Sequence, residues 1–490
     1  MLQTLHSKGA FIRGAWRATA PAFESTSPID PDHVVGHFSE DAALVPEAVS
    51  TASEASALWR RVPLHERIGA VQAFARALDE DATAIAAMIT TEVGKPRGEA
   101  EAEAALLSRK IAITADIARD ELAPSTPSGV DGFVDYAPMG VVAVVGPFNF
   151  PVHLSNGHIA PAIIGGNAVI LKPSPVAPAC AELYVRAWER AATHSGAPAA
   201  LLSLIQGDHR AGSALVEHPN VDVVAFTGSV PVGVEIAAAC ARTPWKLLAL
   251  EMGGKNAAIV CDDADIELAT RACLDGAFRT TGQRCTATSR VLVDQRIADR
   301  FIEGLIEGAR ALRIGDPFDA MTDLGPLATA RARDLFAHAQ TQIDGLEPLL
   351  MGGTAHVRGA PRGYWVAPAI HRVTSVELAE ARIVHELFGP EVLIETFSED
   401  GEAVTRANAT PFGLAMSVFT RSEARFRALR QTLDAGIINA NRGTAGASSQ
   451  LPFGGTKCSG NHRPAGSFAL RYCVRPVATL VEPGGFDPSR

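Results

Sequence analysis

Between residues 141 and 260, short runs of Val, Ile and Leu alternate with longer stretches of helical periodicity. This alternation restricts what the chain can fold into more than any other feature. The runs are Val141–Val145, Ala168–Leu171, Val221–Phe226, Leu247–Leu250 and Ala257–Val260. A strand covered by helices on both faces reads as an unbroken apolar run, not as apolar and polar residues in turn. Such runs, separated by helical patterns, predict βαβ units and a parallel sheet. A second alternating region, from about 265 to 435, predicts a second α/β unit. Upstream, segments 44–63, 65–90 and 97–121 place apolar residues three and four apart with charges between them, which predicts amphipathic helices. Pro124–Ser128 breaks that pattern, and Asp131–Tyr136 with a strand at Ala478–Glu482 is left as a small separate feature.

Composition sets limits on function. Of 490 residues, 47% are hydrophobic and 20% charged, as in ordinary globular proteins. The net charge of −10 gives no footing for nucleic-acid binding, which needs a basic surface. The seven Cys are scattered, odd in number and without a CxxC pair, so neither a zinc site, another metal site nor a disulfide framework is expected. Free thiols suit a reducing compartment, and the first residues lack the apolar core of a secretory signal. The apolar stretch 159–171 is interrupted by Pro161, Gly165, Gly166 and Asn167 and is too short to cross a bilayer. The expectation is a cytoplasmic protein with no membrane or nucleic-acid partner.

Six stretches carry residues suited to chemistry. In Phe278–Thr286 (FRTTGQRCT) a helical pattern ends, Gly282 frees the backbone, and Cys285 precedes an apolar strand. A thiol attacks carbonyls well near neutral pH, although most free Cys are simply small buried hydrophobes. In Leu248–Asn256 (LALEMGGKN) Glu251 follows a strand directly. A partly desolvated carboxylate there has a raised pKa and suits a general base, while a capping or surface acid is an equal alternative. After Val221–Phe226, Thr227–Gly233 (TGSVPVG) puts Gly228, Ser229 and Gly233 before a helix. Backbone N–H groups there can meet a phosphate, or the Gly-Ser pair can merely turn the chain. Lys172 ends an apolar strand before Pro173-Ser174-Pro175, placed for a ribose or phosphate or else only for solvent. In Gly146–Pro151 (GPFNFP), Asn149 stands in a stiff loop where its amide could donate to an oxyanion, unless it only shapes a turn. In His385–Pro390 (HELFGP), Glu386 and Phe388 could hold a ribose diol and flank a ring, or could be a strand-end acid beside a core Phe.

No one of these stretches is decisive, but their joint order and spacing is. GPFNFP, LKPS, FTGSVPVG, LEMGGKN, TGQRCT, ELFGP, ANATPFGLA and LPFGGTKCSG together resemble the NAD(P)-dependent aldehyde dehydrogenase superfamily, from about residue 10 to 480. The resemblance implies an α/β fold with a Rossmann-like cofactor domain (1–122 and 141–250) and a catalytic α/β domain (251–435). It also implies a small β oligomerisation arm (123–140 and 470–490) that builds a homodimer or homotetramer. Cys285 would attack the aldehyde carbon, Asn149 and the Cys285 N–H would bind the oxyanion, and Glu251 would activate the water that hydrolyses the thioester. Pro147, Phe148, Lys172, Ser174, Gly228, Ser229, Gly233, Glu386 and Phe388 would line an NAD or NADP site.

Two positions depart from the family pattern. Many NAD-preferring members carry a Glu three residues after the Lys, where this chain has Pro175; losing that charge removes a barrier to a 2′-phosphate and predicts dual or NADP-leaning use. Many members also carry a second pocket Glu near the C-terminus, where this chain has Pro464, leaving Glu251 as the evident base. Asn156–Ile159, Thr444–Ser449 and Gly460–Pro464 (GNHRP) are similar to the N-succinylglutamate 5-semialdehyde dehydrogenases, although that group has Trp-Asn-Lys where this chain has Ala440-Asn441-Arg442. A substrate with several carboxylates needs cations near the mouth, and Arg284, Arg442, His462 and Arg463 are candidates. The same residues could instead satisfy internal carbonyls and acids. Competing readings are a dehydrogenase of neutral aliphatic or aromatic aldehydes, a CoA-acylating dehydrogenase, a thiol hydrolase and a non-catalytic binding protein. Glu251 argues against CoA transfer, and none of the fourteen His is marked as a partner for a hydrolase thiol.

Overall fold

The computed structural model describes residues 1–359 and 362–482. It is a mixed α/β architecture built on two seven-stranded sheets, as the alternation of apolar runs requires. The first sheet runs in the order Leu247–Glu251, Val223–Thr227, Val141–Val145, Ala168–Lys172, Leu202–Leu204, Ala10–Ile12, Ala15–Arg17. Its first five strands are parallel and almost wholly buried. In chain order the parallel part of the sheet starts at Val141–Val145, grows outward through residue 204, then returns to the other side of that first strand with Val223–Thr227. The strand order therefore reverses between 141–145 and 223–227, and the helices diverge there to leave a crevice beyond the strand ends.

The second sheet has the order Leu346–Leu350, Ala369–Val373, Glu391–Phe397, Thr288–Asp294, Asn256–Val260, Ala415–Phe419, Ile437–Ala440, parallel except at its first strand. Each sheet has its own apolar core. A third feature is an antiparallel ribbon pairing Gly132–Pro138 with Val474–Leu480. It holds Phe133, Tyr136, Val477 and Leu480 exposed. Residues 469–473 precede the ribbon as a short buried helix in the first core, and 483–490 of the expected arm lie outside the described residues. No helix among the described residues is long and apolar enough to cross a membrane.

Local differences from the sequence expectations have simple causes. The pattern expected as one helix over 65–90 is two, Leu64–Glu80 and Ala82–Val93, which share Asp81 as the cap between them. The Asp81 carboxylate is held by Arg190 at 2.6 Å. The hairpin Ala10–Arg17 went unread because its turn, Arg13-Gly14, adopts positive φ at both residues with an Arg at the first. The expected strand at 478–482 begins at Val474, where pairing with Pro138 starts.

Candidate active site

The helix Ile266–Phe278 carries the chain towards Cys285. Its Asp265 cap accepts from the Leu268 N–H at 3.1 Å. Beyond it, Thr280, Thr281 and Gly282 take φ of 55°, 53° and 72° in succession. Left-handed backbone is costly for a β-branched residue, so the surroundings must impose it. Glu99 accepts from both the N–H and the hydroxyl of Thr280, at 3.1 and 2.5 Å, and Thr281 donates to the Gly325 carbonyl at 2.9 Å. A Cβ on Gly282 would lie 2.2 Å from the Gly389 oxygen, so only glycine lets this turn meet the loop that bears Glu386 and Phe388. After the turn, the Asn256 amide donates to the carbonyls of Cys285 and Ala287 at 2.8 and 2.9 Å. Cys285 is thus fixed on both sides by its neighbours, and the backbone N–H groups of Cys285 and Thr286 are turned towards its sulfur.

Glu251 ends a strand of the first sheet and faces the same space. It is 1% exposed, and neither carboxylate oxygen has a hydrogen-bond partner among the described residues. Burial drives its pKa well above the usual carboxylate range, opposed only by Arg463. Burial also pushes the Cys285 thiol up, followed by the neighbouring carboxylates of Glu251 and Glu386. Both shifts favour the neutral forms, the acid of Glu251 and the thiol of Cys285. The Glu251 backbone is stitched to the Gly460 loop: it bridges Gly460, Met252 N–H donates to Ser459 at 2.9 Å, and Leu250 N–H donates to the Asn461 side chain at 2.8 Å.

Asn149 joins these two from a third direction. Its amide donates to the Gln283 carbonyl at 2.9 Å. The loop is braced from below, where Lys95 meets Glu103 at 2.6 Å in a fully buried pair and caps the Phe150 ring at 3.6 Å. The free oxygen of Glu103 accepts from His153 N–H at 3.2 Å. Sequence reasoning missed Glu99, Glu103 and Lys95, because the helix they flank or occupy is crowded with Glu and nothing marks those particular ones. Asn256 ends the LEMGGKN stretch but was not singled out.

The expected cofactor residues gather around the crevice of the first sheet. Pro147 and Phe148 leave the end of strand Val141–Val145, and Gly228 and Ser229 leave the end of Val223–Thr227, the two sides of the strand-order reversal. Gly233 lets the helix Val230–Cys240 approach Met252, since a Cβ there would lie 2.3 Å from its sulfur. Lys172 is 5% exposed with no hydrogen-bond partner among the described residues. Burial lowers its pKa to about 8, against the pull of Glu40 and Asp208. Ser174 accepts from Val176 N–H at 3.2 Å in a local turn. Glu386 accepts from Gly254 N–H at 3.0 Å, and burial raises it to about 7. Phe388 holds φ 51° with its ring edge-on to Phe148, centroids 5.9 Å apart. A buried free ammonium, a glycine-lined helix start and a buried carboxylate around one crevice fit a dinucleotide's ribose, phosphate and second ribose.

The substrate candidates separate. Arg284 is engaged by Glu99 at 2.7 Å and by the Thr280 hydroxyl at 2.9 Å, so its guanidinium serves the Cys285 turn. Arg463 donates to the Gly455 carbonyl at 2.6 Å and is the cation acting on Glu251. His462 is exposed with φ 52°. Arg442 is exposed at the rim of a cavity of about 370 Å³.

A doubly wound sheet with a carboxylate and an amide beyond its strand ends, facing a cysteine from a second α/β unit, fits a nicotinamide-dependent oxidoreductase of carbonyl compounds. The chain belongs to the aldehyde dehydrogenase family, whose sequence profile matches residues 16–477. It is 38% identical to the N-succinylglutamate 5-semialdehyde dehydrogenase of Burkholderia multivorans over 478 residues, 96% of each chain. Among solved structures it is similar to the indole-3-acetaldehyde dehydrogenase of P. syringae in complex with NAD+ and IAA, with 30% identity, TM-score 0.90 and 96% of each chain covered. It is also similar to a 3,6-anhydro-L-galactose dehydrogenase solved with NADP, with 26% identity, TM-score 0.89, and 98% of this chain and 100% of that one covered. The protein is an oxidoreductase acting on aldehydes.

Proposed function

We propose that this aldehyde dehydrogenase oxidises N-succinylglutamate 5-semialdehyde, or a semialdehyde built like it, to the carboxylic acid, with Cys285 as nucleophile and Glu251 as base. The observation that carries the mechanism is a buried carboxyl, with both oxygens unpartnered among the described residues, beside a half-buried thiol that only backbone N–H groups contact. Sγ of Cys285 gives its proton to solvent and adds as the thiolate to the aldehyde carbon. The oxygen gains negative charge and accepts from the Asn149 amide and the Cys285 N–H. The bound nicotinamide supplies the hydride acceptor. The resulting thioester meets a water whose proton goes to the Glu251 carboxylate; the C–S bond breaks, the acid leaves, and the thiol is restored. Lys172, the Gly228–Gly233 turn and Glu386 hold the cofactor, with Pro147, Phe148 and Phe388 about its reactive end.

The substrate reading is supported by likeness to N-succinylglutamate 5-semialdehyde dehydrogenases along nearly the whole chain, through 444–449 and 460–464 as well as the shared motifs. We further read residues 1–122 and 141–250 as the cofactor domain and 251–435 as the catalytic domain. The exposed ribbon would be the oligomerisation arm of a homodimer or homotetramer, since its outer edges offer unpaired backbone groups to a second copy. The deciding test is a panel of aldehydes with NAD and NADP, run on wild type and Cys285→Ala. Preference for the succinylated semialdehyde, abolished by the substitution, supports the reading; clear preference for a neutral medium-chain aldehyde refutes the substrate.

A further inference from the structure

The cavity at Arg442 is lined by Arg109, Lys110, His153, Arg442 and the 448–450 turn, with apolar residues and no Asp or Glu. Its volume lies within the range of small-molecule sites. Lys110 is its unusual member. It sits on the helix Arg97–Glu121, is 6% exposed, and makes no ion pair or side-chain hydrogen bond among the described residues. Buried charges in folded proteins are paired, because an uncompensated ammonium out of water is strongly disfavoured. Its titratable neighbours do not compensate it. His153 is half-buried and His158 buried, and both are held neutral, by desolvation first and by Lys110 next. The Nδ1 of His153 is itself buried without a partner among the described residues. An unpaired ammonium, an orphaned imidazole nitrogen and two guanidinium groups thus surround one space whose lining includes no Asp or Glu.

That space is linked to the reacting groups on two sides. His153 lies four residues beyond Asn149 and opens the helix His153–Ile164 that follows the Asn149 loop. Arg442 lies two residues before Thr444, whose hydroxyl donates to the Thr286 carbonyl at 2.7 Å, next to Cys285. The cavity is therefore walled by the helix that continues the Asn149 loop and by the segment bonded to the Cys285 turn.

We infer that Lys110, with Arg442 and Arg109 at the rim, forms a carboxylate subsite that holds the acidic end of the aldehyde while its carbonyl reaches Cys285. The inference rests on the acidic-aldehyde reading above and adds the residues that select it. Lys110 supplies the buried charge, and the hydroxyls of Ser448 and Ser449 and the amide of Gln450 complete a polar wall.

The test uses the dinucleotide-loaded enzyme, wild type against Lys110→Met and Lys110→Arg. Three quantities are measured: kcat and KM for N-succinylglutamate 5-semialdehyde, the same for hexanal, and the inhibition constant of N-succinylglutamate against hexanal oxidation. Lys110→Met raises both the KM for the acidic aldehyde and that inhibition constant by about ten- to a hundredfold, the worth of a hydrogen bond to a charged group. Its kinetics on hexanal stay within about threefold, and Lys110→Arg recovers part of the loss. An equal loss on both aldehydes, or an unchanged inhibition constant, overturns the subsite. If wild type prefers hexanal, yet N-succinylglutamate still competes in a Lys110-dependent way, the substrate reading falls and the subsite stands.

Discussion

The side-chain amide of Asn149 donates to the carbonyl of Gln283, two residues before Cys285, across 2.9 Å. One contact thereby ties the loop leaving the first sheet to the turn that feeds the second. In the proposed mechanism this holds an oxyanion donor beside the nucleophile, with no reorganisation needed when the oxyanion forms. Asn149→Ala is expected to lower kcat by about 10²–10³, the usual loss for one oxyanion donor. Dinucleotide affinity, measured by quenching of intrinsic fluorescence, should change little. A kcat within fivefold of wild type would remove Asn149 from the oxyanion site.

Glu251 sets the pH dependence. Its folded pKa is raised, so the neutral acid dominates around and below the usual carboxylate range, and the basic form appears only as pH rises. Thioester hydrolysis should therefore accelerate as pH rises above the usual carboxylate range. Glu251→Gln should flatten that limb and lower steady-state kcat by about 10²–10⁴, the usual contribution of a general base. A pre-steady-state burst of reduced dinucleotide should persist, because the steps before hydrolysis do not use this base. Loss of the burst together with kcat would place Glu251 in acylation instead.

The thiol of Cys285 is held neutral by its surroundings, whereas Cys458 is exposed. The thiolate is the species that alkylates. In dinucleotide-free protein at neutral pH, iodoacetamide should therefore modify Cys458 before Cys285, with the Cys285 rate climbing as pH rises. Peptide mass spectrometry after timed quenching reads this directly. Faster labelling of Cys285 would show a preformed thiolate.

What the sequence disclosed and what it hid follow physical lines. Strands such as Val141–Val145 and Asn256–Val260 are buried on both faces, so local composition alone marks them. The residues brought together around Cys285 lie at strand ends and in glycine turns, where spacing advertises them. The supports are different. Lys95 with Glu103, and Glu99 with Thr280 and Arg284, join helix to turn across the fold, and neither partner has a local pattern that differs from a solvated face. Arg284 is the instructive case: as a cation before the nucleophile it reads as a substrate contact, yet its carboxylate partner lies 185 residues earlier in the chain. Lys110 was hidden likewise, since an unpaired Lys on an amphipathic helix looks exposed until the fold buries it.

Glu40 bears on the choice of cofactor. Pro175 takes the place where many NAD-preferring relatives have a carboxylate, and on that ground alone the 2′-phosphate of NADP meets no repulsion. The fold brings another acid to the same lysine. Glu40 and Asp208 are the charges that act on Lys172. Glu40 accepts from Asp208 N–H with one oxygen, at 2.8 Å, while the other is buried without a partner. Gly207, at φ 132°, makes room for it, since a Cβ there would lie 2.6 Å from that oxygen. A carboxylate oxygen left free beside the lysine proposed to meet the ribose would accept from a 2′-hydroxyl and repel a 2′-phosphate. Wild type is therefore expected to favour NAD despite Pro175. Glu40→Gln, which keeps an acceptor for Asp208 but removes the charge, should shift the kcat/KM ratio towards NADP by about tenfold, the equivalent of 1.4 kcal/mol. The affinity of NADP, followed by fluorescence quenching, should tighten in the same variant. A ratio that moves less than twofold would mean that Arg210, which lies 3.6 Å from Glu40, already neutralises the carboxylate.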